Sequence, residues 1–174
     1  YMNNSHTMDF LNKAIETLDH VGWDRREPVL ATVVDAIADA SRGEETSTWT
    51  RPVNVAEVCF DAAADLPELV AAGADKDWAR PDDFIETLLS SNPHEIDDAL
   101  RDAVAGGAST EQLAHGVAVA ALQRVAHFGT GNEFSDWNTV HHTFSFANAV
   151  DNLARRTDAV AVYEACWQGA MSVY

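Results

Sequence analysis

The chain is predicted to be all-α, a multi-helix bundle built from duplicated helical hairpins. Three observations predict it. Apolar residues recur at three- and four-residue spacing in one segment after another, and two short patterns each occur twice. No stretch of four to eight residues alternates apolar and polar side chains between two turn signals. At 174 residues the chain is long enough for one domain that buries about 70% of its unfolded surface, so a single domain is expected.

Taken in order, Ser5 is placed to cap a helix reaching about His20, with Met8, Leu11, Ala14, Ile15 and Leu18 on one face and Gly22 just past its end. Pro28 suits the first turn of a second helix, whose stripe is Val29, Leu30, Val33, Val34 and Ile37. Gly43 ends it, and Glu44 to Pro52 reads as a turn. A third helix runs from about Val55 to Leu66 and continues past Pro67 to Val70. Gly73 to Pro81 is a polar connection, followed by a short helix over Asp82 to Leu89. Asn92-Pro93 opens another, with Ile96, Leu100 and Val104 aligned until Gly106-Gly107. Ser109-Thr110-Glu111 then starts a long apolar helix to about Phe128. The last two helices are expected over Val140 to Arg155 and Asp158 to Tyr174.

Acidic side chains outnumber basic ones 28 to 11, a formal charge of -17. Lys13 and Lys76 are the only lysines, and the acids are spread over every segment. That coat argues against nucleic acid as a partner, because phosphate contacts need a basic stripe. It fits a halophilic protein, in which concentrated salt screens the self-repulsion. No run of about 18 apolar residues is present, so no membrane span is expected, and the first residues lack the basic-then-apolar pattern of a signal peptide. A soluble, cytoplasmic protein is the expectation. Tyr1-Met2-Asn3-Asn4 and the unstopped periodicity at Tyr174 read as the ends of a piece of a longer chain. Cys59 and Cys166 lie in apolar helical patterns without CxxC or CxH spacing and are expected as buried thiols.

The first repeated pattern is G-x-E-x-S-x-W, at Gly43 to Trp49 and again at Gly131 to Trp137. The second is H-T-x-x-F-x-N, at His6 to Asn12 and again at His142 to Asn148. Duplicated units often face each other across a pseudo-twofold axis, which would bring like residues together. His6 and His142 would then approach, with Glu45 and Glu133 from the turns, a donor set suited to iron, manganese or zinc. The competing expectation is that each Glu accepts hydrogen bonds from free N–H groups at the next helix start, and that the histidines are buried imidazoles. No E-x-x-H pair and no H-E-x-x-H is present.

His127, at the end of the long helix, is either a solvated cap favoured by the helix dipole or a proton-transfer group. His115 stands about 120° round that helix from it. His141 and His142 point about 100° apart, so one of them faces any pocket, and the repeat favours His142. Trp49 and Trp137 are core plugs beside their turns or a flat aromatic wall for a cofactor. Ser135, Asp136 and His141 do not form a recognisable nucleophilic triad, and no Gly-rich phosphate loop is present.

Two resemblances add to this. The run ALRDAVAGGASTEQLAHGVAVAALQRVAHF, Ala99 to Phe128, resembles the helical hairpin of carboxymuconolactone decarboxylase and AhpD-like proteins, without the C-x-x-C and nearby His of the AhpD type. It implies helix packing and not activity. The run RVAHFGTGNEFSDWNTVHHTFSFANAV, with YMNNSHTMDFLNKA and QGAMSVY, resembles the helical region of long actinobacterial and archaeal Rieske [2Fe-2S] proteins. The Rieske ligands, a C-x-H and a C-x-x-H, are absent, so this resemblance implies the non-Rieske partner domain, with no iron–sulfur ligands of its own.

The resemblance carries over His6, Glu133, Trp137 and His142, with less weight on His127 and Glu45. It implies a Rieske-type ferredoxin domain, in the same or another chain, as partner. The expected function is thus that of a helical component of an oxidoreductase or oxygenase, with metal ligands His6, His142, Glu45 and Glu133 and with His127 for proton transfer. A non-catalytic scaffold or ligand-binding module, with homo-oligomer formation open, is the alternative.

Overall fold

A computed structural model describes residues 5–41 and 43–174; Tyr1 to Asn4, on which the expectation of a cut N-terminus rests, and Arg42 lie outside them. The described residues form helices and turns with no strand. The helices are α1 (His6–Val21), α2 (Arg26–Ala38), α3 (Gly43–Thr46), α4 (Val55–Gly73), α5 (Phe84–Leu88), α6 (Pro93–Ala105), α7 (Thr110–Ala126), α8 (Phe134–Ala154) and α9 (Val160–Val173). Short 3-10 turns at Trp23–Arg25 and Thr48–Thr50 join α1 to α2 and α3 to α4.

The core lies where α7 packs on α8 and α9, with α4 and α6 closing the other side of α9. Leu66, Leu88, Ile96, Leu100, Leu113 and Trp167 are fully buried there. Small residues let the helices approach. A Cβ on Gly169 of α9 would meet Val117 of α7 at 3.0 Å, and one on Gly73 would meet the Val104 carbonyl oxygen at 2.2 Å. Trp167 donates from its indole to Asp97 at 2.6 Å. Asp97 also accepts from Arg101 at 2.8 Å, and Arg101 reaches Asp65 at 2.7 Å, so one polar chain ties α9, α6 and α4. Asn54, Asn92 and Ser109 cap α4, α6 and α7 with their side chains, each satisfying a first-turn N–H that has no partner within the helix.

Three expected boundaries move. Helix α8 starts at Phe134 and not near Val140, because Glu133 and Asp136 form a capping box there while residues 134–136 remain exposed. Capping and not burial sets this end, so the apolar pattern missed it. The segment after Gly43 holds the one-turn α3 and a 3-10 turn rather than an open turn. Pro67 sits inside α4, which runs on to Gly73.

Helix α1 lies along α8, and their cross-links keep one register. Ser5 meets His142, Glu16 meets Asn152 and Asp19 pairs with Arg156, at sequence separations of 137, 136 and 137. A separation that stays within one residue along the pair means that the helices run parallel. It is within one residue of the 136-residue offset of the H-T-x-x-F-x-N repeat, so matching residues of the two copies lie beside each other. Each copy opens a helical hairpin, α1–α2 or α8–α9. The G-x-E-x-S-x-W copies are 88 residues apart, an offset that one duplication cannot share with 136. Their folds differ too: the first spans α3 and a 3-10 turn, the second a turn and the start of α8.

Candidate functional site

The histidines at the head of the repeat meet. The rings of His6 and His142 stand edge to face with centroids 4.7 Å apart, and the His141 ring lies 6.1 Å from that of His142. His6 is near the start of α1, whereas His142 is more than two turns into α8, not in its first turn. The parallel register brings them together despite that difference.

Ser5 occupies the N-cap position of α1, as its sequence context suggested, but its hydroxyl makes no cap bond. It is buried, adopts a left-handed backbone with φ 65°, and turns its Oγ to His142 Nδ1 at 3.3 Å. A non-glycine residue in that region costs about 1–2 kcal/mol. Here the strained turn aims a hydroxyl at an imidazole, and no sequence pattern signals that.

Burial holds the His142 imidazole below its ordinary pKa, and the neighbouring His6 and His141 push in the same direction, with Asp9 opposing. In the neutral tautomer whose Nδ1–H donates to Ser5 Oγ, Nε2 carries the lone pair that binds a metal or takes a proton; in the other tautomer Ser5 donates to Nδ1 and Nε2 is an N–H donor.

His142 also forms part of the wall of a pocket of about 360 Å³ between α8, the end of α9 and the α3 region. Trp49, Glu44, Asn138, Thr139 and Met171 share that wall. Thr143, buried beneath, spends its hydroxyl on Thr139 O at 3.2 Å and on Ser172 Oγ at 3.0 Å. Polar groups with one aromatic face suit a small ligand, in a pocket at the low end of the usual ligand-site volume.

The remaining expected residues are placed elsewhere. Glu45 lines a separate crevice of about 70 Å³ with Cys59 and Glu164, and its neighbour Glu44 lines the pocket instead. The G-x-E-x-S-x-W match selected Glu45 and so pointed one residue past the one that reaches the pocket. Glu133 is exposed at the N-cap of α8. No group of three or more His, Cys, Asp or Glu side chains able to hold a metal occurs among the described residues. His127 is exposed at the C-cap of α7 and does not line the pocket. Trp137 packs edge-on against Phe128, centroids 5.0 Å apart, while Trp49 is the aromatic wall. Asn138 and Thr139 stand one turn before His142 on the exposed part of α8 that precedes Val140, where no apolar pattern marks a helix.

Burial raises the Cys59 thiol to about 12 and pushes that of the fully buried Cys166 up still further. Both stay protonated at neutral pH, whereas metal ligation needs the thiolate. His115 faces the buried Asp151 at 3.7 Å on the α7–α8 side, apart from the pocket. Among the described residues no helix is long and apolar enough to cross a membrane. No family model, curated protein or solved structure matches the chain.

Proposed function

We propose that this chain is the helical partner domain of a Rieske-type oxidoreductase, in which His6 and His142 hold a divalent metal beside the pocket walled by Trp49. One observation carries the reading. Two imidazoles from helices far apart in sequence meet at 4.7 Å, and one of them lines a pocket. Nitrogen donors suit iron or zinc, and the lowered pKa of His142 keeps it in the ligating form at neutral pH.

Two protein ligands are fewer than the three of ordinary catalytic zinc sites, so affinity is modest and the open positions go to water or to a molecule in the pocket. A redox-active metal here would accept single electrons from a Rieske donor. His127 lies outside the pocket lining, so no proton transfer at this site is assigned to it.

A second reading, a non-catalytic scaffold or ligand-binding module, is favoured by the placement of Glu133. Glu133 stands at the N-cap of α8, where it serves helix formation. Elemental analysis of the tag-free chain, followed by titration with Fe2+ and Zn2+, separates the two. The metal reading expects close to one metal per chain, lost in both His6→Ala and His142→Ala while the fold persists. A folded wild type that binds neither metal moves the assignment to the scaffold.

A further inference from the structure

The crevice between the two helices of a hairpin occurs in both copies of the duplication. Val150, Leu153, Thr157, Ala161 and Ala165 line a pocket of about 210 Å³ between α8 and α9. Their counterparts 136 residues earlier, Ala14, Thr17, Val21, Arg25 and Val29, all line a groove of about 670 Å³ between α1 and α2. The same hollow is thus kept twice at the same register, and the second differs from the first in two respects. Ala161 stands where the first has the cation Arg25. Helix α1, which lies along α8, adds Met8 and Leu11 to the second wall, so three helices enclose it where two border the first.

The chemistry of the second wall selects its occupant. Apart from Thr157, the described lining consists of aliphatic side chains and the thioether of Met8. The Thr157 hydroxyl already accepts the backbone N–H of Ala159 at 3.3 Å. An ionised group entering there would lose its water with no partner to replace it. Ordered water is disfavoured for the same reason, since it needs several polar partners. Size narrows the class further. An apolar cavity of about 150 Å³ accommodates benzene, whereas sites for drug-sized ligands begin near ~300 Å³. Val150, Val162 and Ala165 are buried and form the floor, while Thr157, Ala159 and Ala161 are exposed and form a mouth open to solvent. We infer that this crevice binds a neutral apolar molecule of one-ring size, such as an alkylbenzene or a branched hydrocarbon of similar volume. The site is separate from the metal reading, because neither His6 nor His142 is among its lining residues.

Methyl-resolved NMR of the whole chain, titrated with toluene and in parallel with benzoate as a charged ring of similar size, tests this. Toluene gives saturable shifts at the methyls of Leu11, Val150, Leu153 and Val162, with a Kd on the order of 1 mM or tighter. Benzoate leaves those methyls unmoved. Ala161→Leu fills the mouth from an exposed position, so it weakens toluene binding about tenfold or more while the thermal melt stays unchanged or rises. Toluene shifts that remain linear up to its solubility limit overturn the inference and leave the crevice a packing gap. Saturable shifts confined to Val21, Val29 and Val33 of the first groove overturn it too, as does benzoate binding equal to that of toluene. Wild-type affinity retained in Ala161→Leu likewise overturns it, because the occupied site then lies elsewhere.

Discussion

Replacing Trp167 by Phe tests how the α9 helix is held. Trp167 is 1% exposed, and its indole N–H donates to Asp97, which also accepts from Arg101. Phe removes one donor from a carboxylate whose side chain is only 14% exposed. Losing a hydrogen bond to a charged, poorly solvated acceptor costs about 1.5–3 kcal/mol. The missing ring volume adds roughly 1 kcal/mol if the surrounding core does not collapse. The expected loss is about 2.5–4 kcal/mol, or roughly 5–15 °C in Tm for a domain of this size. Urea unfolding with an unchanged m-value measures it. Asp97→Ala and the double variant complete the cycle, and a coupling of at least about 1 kcal/mol is expected. A loss under about 1 kcal/mol, or additivity of the two substitutions, would refute the view that this polar chain joins α9 to α6.

Gly73→Ala should destabilise by about 3 kcal/mol or more, because its Cβ would sit 2.2 Å from a backbone oxygen that cannot rotate away; denaturant unfolding gives the value. The pKa of His142 is lowered in the folded state, so the unfolded chain binds its proton first as pH falls below about 6.5. Stability attached to this group is therefore complete above that pH and declines on acidification until the folded group titrates; His6→Ala should raise the His142 pKa, read by NMR titration, and lessen the decline. The charge of -17 predicts a Tm that rises from low to molar salt, and a salt-independent Tm would contradict it.

The sequence by itself determined the all-α class and the placement of most helices. Apolar residues at helical spacing have to be buried, and caps such as Ser109 and breaks such as Gly106-Gly107 sit where backbone geometry needs them. It also contained the His6 and His142 repeat. What it could not supply is register. A four-residue match says nothing of whether two helices run parallel, and the parallel packing of α1 on α8, which makes the copies lie beside each other, follows from contacts such as Asp19 with Arg156.

The site beside them was decided in the same way. Glu44 rather than Glu45 lines the pocket because a short helix and a 3-10 turn rotate the segment. Ser5 makes no cap bond and turns its hydroxyl to the half-buried imidazole of His142 instead. Local pattern dictates which residues prefer a helix, whereas the partner of a side chain depends on atoms more than a hundred residues away, and only the tertiary structure brings those into contact.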